Sequence, residues 1–343
     1  MGSKGKYSRP NILPLVTFNI MSDTVREYLI YIHGISQDND LAHKPVYDQL
    51  HNGVKSIDKQ FPNRSNWESA TRCDVEWGWN YDNRPSPNGD CLLAKAQDKF
   101  ASDIFPQVKA AKDPTINPAR LALPTFRELL IKGFADMFYY VSRDGKSSIR
   151  ATIASQVMRC IEQSWKQDEL ISLTFLGHSA GSVVAFDFLF YLFAPPEIIQ
   201  KHEFIEPELS NSATDIMQDF VKLRQLAEAQ KLRIRRFITF GSPISMLAFR
   251  SNAILEILAS GNKLNPSHYG FDRNPQVFGN PLNGPRWVNF WDKDDIISWP
   301  AQPLMQDSPL VEDIYSDVGD RIATVHNEYW ANKFLHEKIA GLW

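Results

Sequence analysis

The chain has 343 residues, 43% of them hydrophobic and 22% charged, which is ample apolar material for one large α/β domain carrying insertions. Its formal net charge of −3 speaks against a nucleic-acid partner, because phosphate binding calls for a basic footprint. No Gly/Ser-rich linker, charge block or internal repeat marks a boundary between domains, so a single domain over 1–343 is expected.

The opening segment MGSKGKYSRPNILPL is basic, but Pro14 interrupts its short apolar stretch, so it does not read as a signal peptide. Gly2 invites myristoylation, yet Lys6 stands where that motif wants Ser or Thr. Nothing approaches the roughly 18 apolar residues of a membrane span. Cys73, Cys91 and Cys160 lack metal-ligand spacing and read as free thiols in a reducing compartment. A soluble cytoplasmic protein is expected, with no metal and no cofactor.

EYLIYIHGIS (27–36) is an apolar run ending near a glycine, the pattern of a strand buried on both faces. CDVEWGWN (73–80) reads as a second strand. The stretch 81–144 is long and rich in Pro and Asn, an insertion expected to form a cap. Within it a helix is expected with Phe126, Leu130, Phe134, Met137, Phe138 and Val141 on one face. Ile149, Ile153, Val157, Ile161 and Trp165 then recur at helical spacing behind Ser147 or Ser148 as a cap.

LISLTFL (170–176) is the next strand, and a helix from Ala180 to Phe193 follows it, apolar on nearly every side. A second insertion, 195–232, contains a helix after Ser212. The basic run KLRIRR leads into strand RFITF and reads as solubilisation of a strand entry. A third insertion, 251–285, reads mostly as loop. Strand RWVNFW ends at Asp292. Strand RIATV (321–325) and a helix over 330–340 close the chain. Strands alternating with helices predict a mainly parallel central sheet with helices on both faces. Ligands in such sheets bind beyond the strand C-termini, where each polar motif of this chain falls.

The stretch FLGHSAGSVVAF holds the central clue, because an apolar strand breaks at Gly-His-Ser-Ala-Gly and resumes at once as an apolar helix. In G-x-S-x-G a serine occupies a strained strand-to-helix turn. Gly177 and Gly181 keep side chains away from the crowded backbone, and Ser179 Oγ projects above the sheet. The helix dipole and the Ala180 amide point towards developing negative charge.

This context resembles the α/β-hydrolase superfamily, from about Val25 to the C-terminus without the insertions. TFGSPIS, FWDKDDIIS and HNEYW are similar to segments of its intracellular lipase-like members. The resemblance implies the chain order Ser, Asp or Glu, then His. Of the histidines after Ser179, His202 lies in an insertion and His268 precedes the strand that should deliver the acid. His336 looks solvated on the terminal helix, which leaves His326 as the base. Asp292, Asp294 and Asp295 all follow a strand end. Lipase-like relatives place the acid before a small apolar pair and a later proline, which favours Asp295, ahead of Ile296, Ile297 and Pro300.

An oxyanion hole needs two donors. One is expected from Ala180, and the HGIS loop, by resemblance, assigns the other to Ile35. Gly34, His33 and His178 are placed on the substrate side. The glycine admits close backbone approach, and the two histidines act as positioning groups rather than bases. Ser242 lacks the corner motif and reads as a packing turn. Trp77, Trp79, Trp287, Trp291, Trp299 and Trp330 lie near strand ends and could together wall an acyl pocket.

The implied activity is hydrolysis of carboxylic esters through an acyl-enzyme, in a lipase or phospholipase-like esterase of lipid metabolism. The apolar face over 126–141 could cover a lipid cleft or touch a membrane surface. A small-molecule esterase, an acyltransferase and a non-catalytic interaction protein of the same fold are the competing readings.

Overall fold

The computed structural model describes residues 24–34, 43–60, 67–77, 140, 143–166, 169–201, 214–248, 252–279, 282–305, 309–319 and 324–343. Six strands carry the fold: β1 (Val25–Ile32), β2 (Thr71–Val75), β3 (Leu170–His178), β4 (Leu232–Phe240), β5 (Trp287–Trp291) and β6 (Val311–Tyr315). They form one sheet in the order β2-β1-β3-β4-β5-β6, and every neighbouring pair is parallel.

Register explains how the two faces are covered. Cys73, Ile30, Phe175, Phe237, Trp287 and Val311 line up across the sheet and point into one core. Tyr31, Leu176, Ile238 and Val288, one residue further along, point into the other. The first core is closed by helices α2 (Arg143–Ser164), α3 (Ala180–Phe193) and α4 (Thr214–Glu228). The second is closed by α1 (His43–Asp58) and α5 (Lys333–Leu342). This is the expected α/β architecture, with helices on both faces. β3 is buried at all nine positions, as a central parallel strand covered twice must be. Helix α3 lies under the sheet with 13 of its 14 residues buried, so its all-round apolarity is spent inside the core.

The structure departs from the sequence reading at four places. Strand β6 was not anticipated, because VEDIY is short, acidic and only partly buried at the sheet edge. The strand expected over 321–325 falls mostly outside the described residues, and Val325 instead opens a single helical turn, Val325–Glu328. The stretch 251–285 contains a two-turn helix, Asn252–Ala259.

The basic run is the fourth departure, since Arg233, Arg235 and Arg236 are buried rather than solubilising. A register shift opposite Leu173/Thr174 interrupts the alternation there. Arg235 then donates to Glu27 Oε1 at 2.8 Å and Arg236 to Asn283 O at 2.7 Å, while Arg233 lies 4.3 Å over the Phe278 ring. Arg235 therefore pairs across the sheet with β1, while Arg236 and Arg233 reach the 278–283 segment beside this end of the sheet.

Cys73 is buried and Cys160 half-buried, and both are free; Cys91 lies outside the described residues. So do residues 81–139, with the cap expected there and the face from Phe126 to Phe138, and so does Val141. Among the described residues no helix is long and apolar enough to cross a membrane.

Candidate active site

The corner after β3 is strained. Ser179 adopts φ 51° and ψ −129°, and only Gln230 joins it among described non-glycine residues at positive φ. Such a conformation costs on the order of 1–3 kcal/mol and persists only where its surroundings hold it. Ser179 N donates to Phe240 O at 3.1 Å, and Ser182 N donates to Ser179 O at 3.0 Å. Ser182 Oγ also donates to Ser179 O and lies 2.7 Å from Ser242 Oγ. Ser242 thus packs beneath the corner, as its sequence context implied.

The flanking glycines answer a different need, that of space. A methyl group on Gly177 would lie 2.7 Å from Ser182 Cα, and one on Gly181 would collide with the carbonyl oxygens of Ile32 and His33. Gly181→Ala should therefore destabilise the fold by about 3 kcal/mol or more, because backbone cannot yield as a side chain can. Urea unfolding measures this, and an unchanged midpoint would show that the corner can shift.

Three distant segments meet at Ser179. His326, from the turn after β6, places Nε2 2.7 Å from Ser179 Oγ. Asp295, in the loop after β5, places Oδ2 2.8 Å from His326 Nδ1, and its Oδ1 accepts from Ile297 N at 3.0 Å. The carboxylate can only accept, so Nδ1 carries the proton and Nε2 is left to accept from the serine hydroxyl. Burial alone would raise the Asp295 pKa, but the bond and charge of His326, with the Ile297 amide, outweigh it and hold the carboxyl below its usual range.

The other two aspartates go elsewhere. Asp292 is wholly buried and accepts from Asp294 N at 2.9 Å and Val318 N at 2.6 Å. Asp294 pairs with Lys293 at the surface, 2.7 Å away. Among the remaining histidines, His268 sits beside Phe190, near the far end of α3, and His202 lies outside the described residues. His336 corrects the sequence reading: it is buried, not solvated. Its Nε2 donates to Trp330 O at 2.8 Å, and its ring fills the space left open by Gly53 of α1.

The loop after β1 passes directly over the serine, since a methyl group on Gly34 would lie 2.6 Å from Ser179 Cβ. Ala180 opens α3, where backbone amides have no acceptor within the helix. Ile35 lies outside the described residues. His178, 4% exposed, donates from Nε2 to His326 O at 2.7 Å. Burial, then the neighbouring His326, pushes its pKa down to about 3, so it stays neutral.

No family model matches the chain, and no curated protein does. Among solved structures, a likeness is found to the Tle1 effector bound to the VgrG spike from the Type 6 secretion system. It has 9% identity, covers 92% of this chain and 54% of that one, and gives a TM-score of 0.25. This chain spans about half the length of that effector chain, and so loose a superposition transfers neither its fold nor its activity.

Sequence reasoning missed how the β1 loop is held. His33 Nδ1 donates to Gly34 O, its Nε2 accepts from Trp77 N at 3.2 Å, and Trp77 Nε1 donates to His33 O at 2.8 Å. The His33 ring stacks 3.4 Å from that of His43 and 5.6 Å from that of Trp77. Trp77 stood out as an aromatic at a strand end, whereas His43 carried no signal at all. Burial, then His33 and His178, lowers the His43 pKa to about 2.

His33, His43 and Glu76 bring possible metal-ligand atoms within 4.8 Å of one another. The His33 Nε2 lone pair is already engaged by Trp77, however, and the two rings lie 3° from parallel. Lone pairs lying in parallel ring planes do not converge on one ion, so the trio does not fit a tetrahedral site as arranged.

Proposed function

We propose that this chain is a serine hydrolase of the α/β-hydrolase superfamily that cleaves carboxylic esters through an acyl-enzyme. The observation that carries the reading is the unbroken hydrogen-bond chain from Ser179 through His326 to Asp295, at a strained strand-to-helix corner. Ser179 Oγ attacks the ester carbonyl as His326 Nε2 takes its proton, and Asp295 stabilises the imidazolium that forms. The Ala180 amide, at the N-terminus of α3, receives the developing oxyanion, with Ile35 as the second donor. His326 then protonates the leaving alcohol. Water repeats the sequence on the acyl-enzyme, releasing the acid and restoring Ser179.

A lipid ester is favoured as substrate. Ile296, Trp299 and Met246 are 52%, 47% and 41% exposed. Ile296 adjoins Asp295, Trp299 N donates to Ser242 O at 3.1 Å, and Met246 lies in the short helix Ile244–Leu247 just beyond. An apolar rim beside the reacting groups suits an acyl chain or a lipid surface.

Labelling by a fluorophosphonate probe, followed by an ester panel of increasing acyl length, tests both statements. Labelling should occur at Ser179 and vanish in Ser179→Ala; equal labelling of that variant would refute the nucleophile. Rates should rise from short to long acyl chains. Their collapse beyond short chains would favour a small-molecule esterase.

A further inference from the structure

We propose that His178 is a positioning residue that fixes the backbone of His326, and so holds the base in line between Ser179 and Asp295. The inference rests on the hydrolase reading above for its kinetic meaning, though the contacts stand without it.

His326 lies on a single helical turn, Val325–Glu328, whose N-cap Thr324 makes no side-chain capping bond. Four residues of helix are too short to hold a side chain by themselves. Asp295 and Ser179 hold the imidazole at its two nitrogens, but neither bond fixes the main chain that carries the ring. The His178 bond to His326 O ties that main-chain segment directly to the sheet, for His178 is the last residue of β3.

The tie is stiff because the His178 ring is caged. It lies 4.8 Å from the His326 ring, 5.3 Å from Phe240, 5.2 Å from Trp330 and 6.3 Å from Tyr329. Gly241, at φ +59°, brings backbone so close that a methyl group there would lie 3.2 Å from His178 Nε2, His326 Cε1 and Tyr329 Cε2. On the other side, a methyl group on Gly34 would lie 3.2 Å from His178 Nδ1. The same ring therefore touches the base, the end of β4 and the loop over the serine. Because it remains neutral, its Nε2 proton stays in place throughout the pH range of ester hydrolysis. One residue ahead of the nucleophile, it sets the height of the base above the corner.

His178→Phe keeps a ring in the cage and removes the donor, whereas His178→Gln keeps an amide donor near the Nε2 position. His178→Phe should lower kcat by about 10- to 100-fold, the cost of a small misplacement, with KM changed less than about twofold. His178→Gln should recover most of kcat. Proton NMR of the full chain with 15N-labelled histidine supplies a second readout. The His326 Nδ1 proton should exchange with water about tenfold faster or more in His178→Phe, and near the original rate in His178→Gln. Wild-type kcat and exchange in His178→Phe, or equal impairment of both variants, would overturn the proposal. Should His178→Phe not fold, His178→Asn, whose shorter amide cannot reach His326 O, takes its place with the same outcomes. If the wild-type chain hydrolyses no ester, the hydrolase reading fails, and the exchange rates still decide the tether.

Discussion

His326→Ala is expected to lower kcat for ester hydrolysis by about a million-fold, close to the loss in Ser179→Ala, and the double variant should be no worse than either alone. On the proposed mechanism the two groups act as one device, because a serine hydroxyl without its base is not a nucleophile at neutral pH. A million-fold corresponds to about 8 kcal/mol of barrier. Asp295→Asn should cost less, about ten-thousand-fold. The amide can present a donor to Nδ1 and so favour the tautomer whose Nε2 cannot accept the serine proton. Single-turnover kinetics on an activated ester measure all four enzymes. Multiplicative losses in the double variant would mean that the 2.7 Å contact between Ser179 and His326 is not the reactive one.

The second large effect concerns acid. His178 and His43 have folded-state pKa values of about 3 and about 2, below the value of about 6.5 expected when unfolded. Below that value the unfolded chain takes up protons that the folded chain refuses, so stability falls as pH falls. Each group contributes about 1.4 kcal/mol per pH unit across that window, or about 4 kcal/mol for the pair at pH 5. Against a typical domain stability of roughly 5–15 kcal/mol, this is a large loss. His51 and His336, also lowered mainly by burial, act in the same direction. Asp295 adds its share lower down, since a depressed carboxyl loses its stabilising contribution only as pH falls below about 4.

Urea unfolding at pH 7.5 and pH 5 checks this. His43→Phe keeps the ring stacked on His33 and removes one titrating group, so it should reduce the loss at pH 5 by about 2 kcal/mol. Equal pH dependence in the variant and the parent would show that the buried histidine is not the acid-sensitive group.

Ser179, at its corner, was legible from a dozen residues, because strand, glycine spacing and helix are local patterns whose geometry follows from backbone sterics. The parallel sheet with helices on both faces was legible for the same reason, from alternating apolar runs. Other features depend on segments far apart in the chain. Asp292 and Asp294 match Asp295 in type and lie beside it, and only packing shows that Asp292 turns inward to the Val318 amide while Asp295 meets His326.

The sequence alone determined the layered α/β fold and singled out Ser179, His326 and three neighbouring aspartates, with Asp295 favoured. The tertiary structure decided which aspartate reaches the imidazole, that the RIRR arginines and His336 lie inside, and that His33 is clamped by Trp77 and His178 bonded to the His326 main chain. Periodicity along a chain records which face of an element is apolar. It does not record which partner, a hundred residues away, will fill that face.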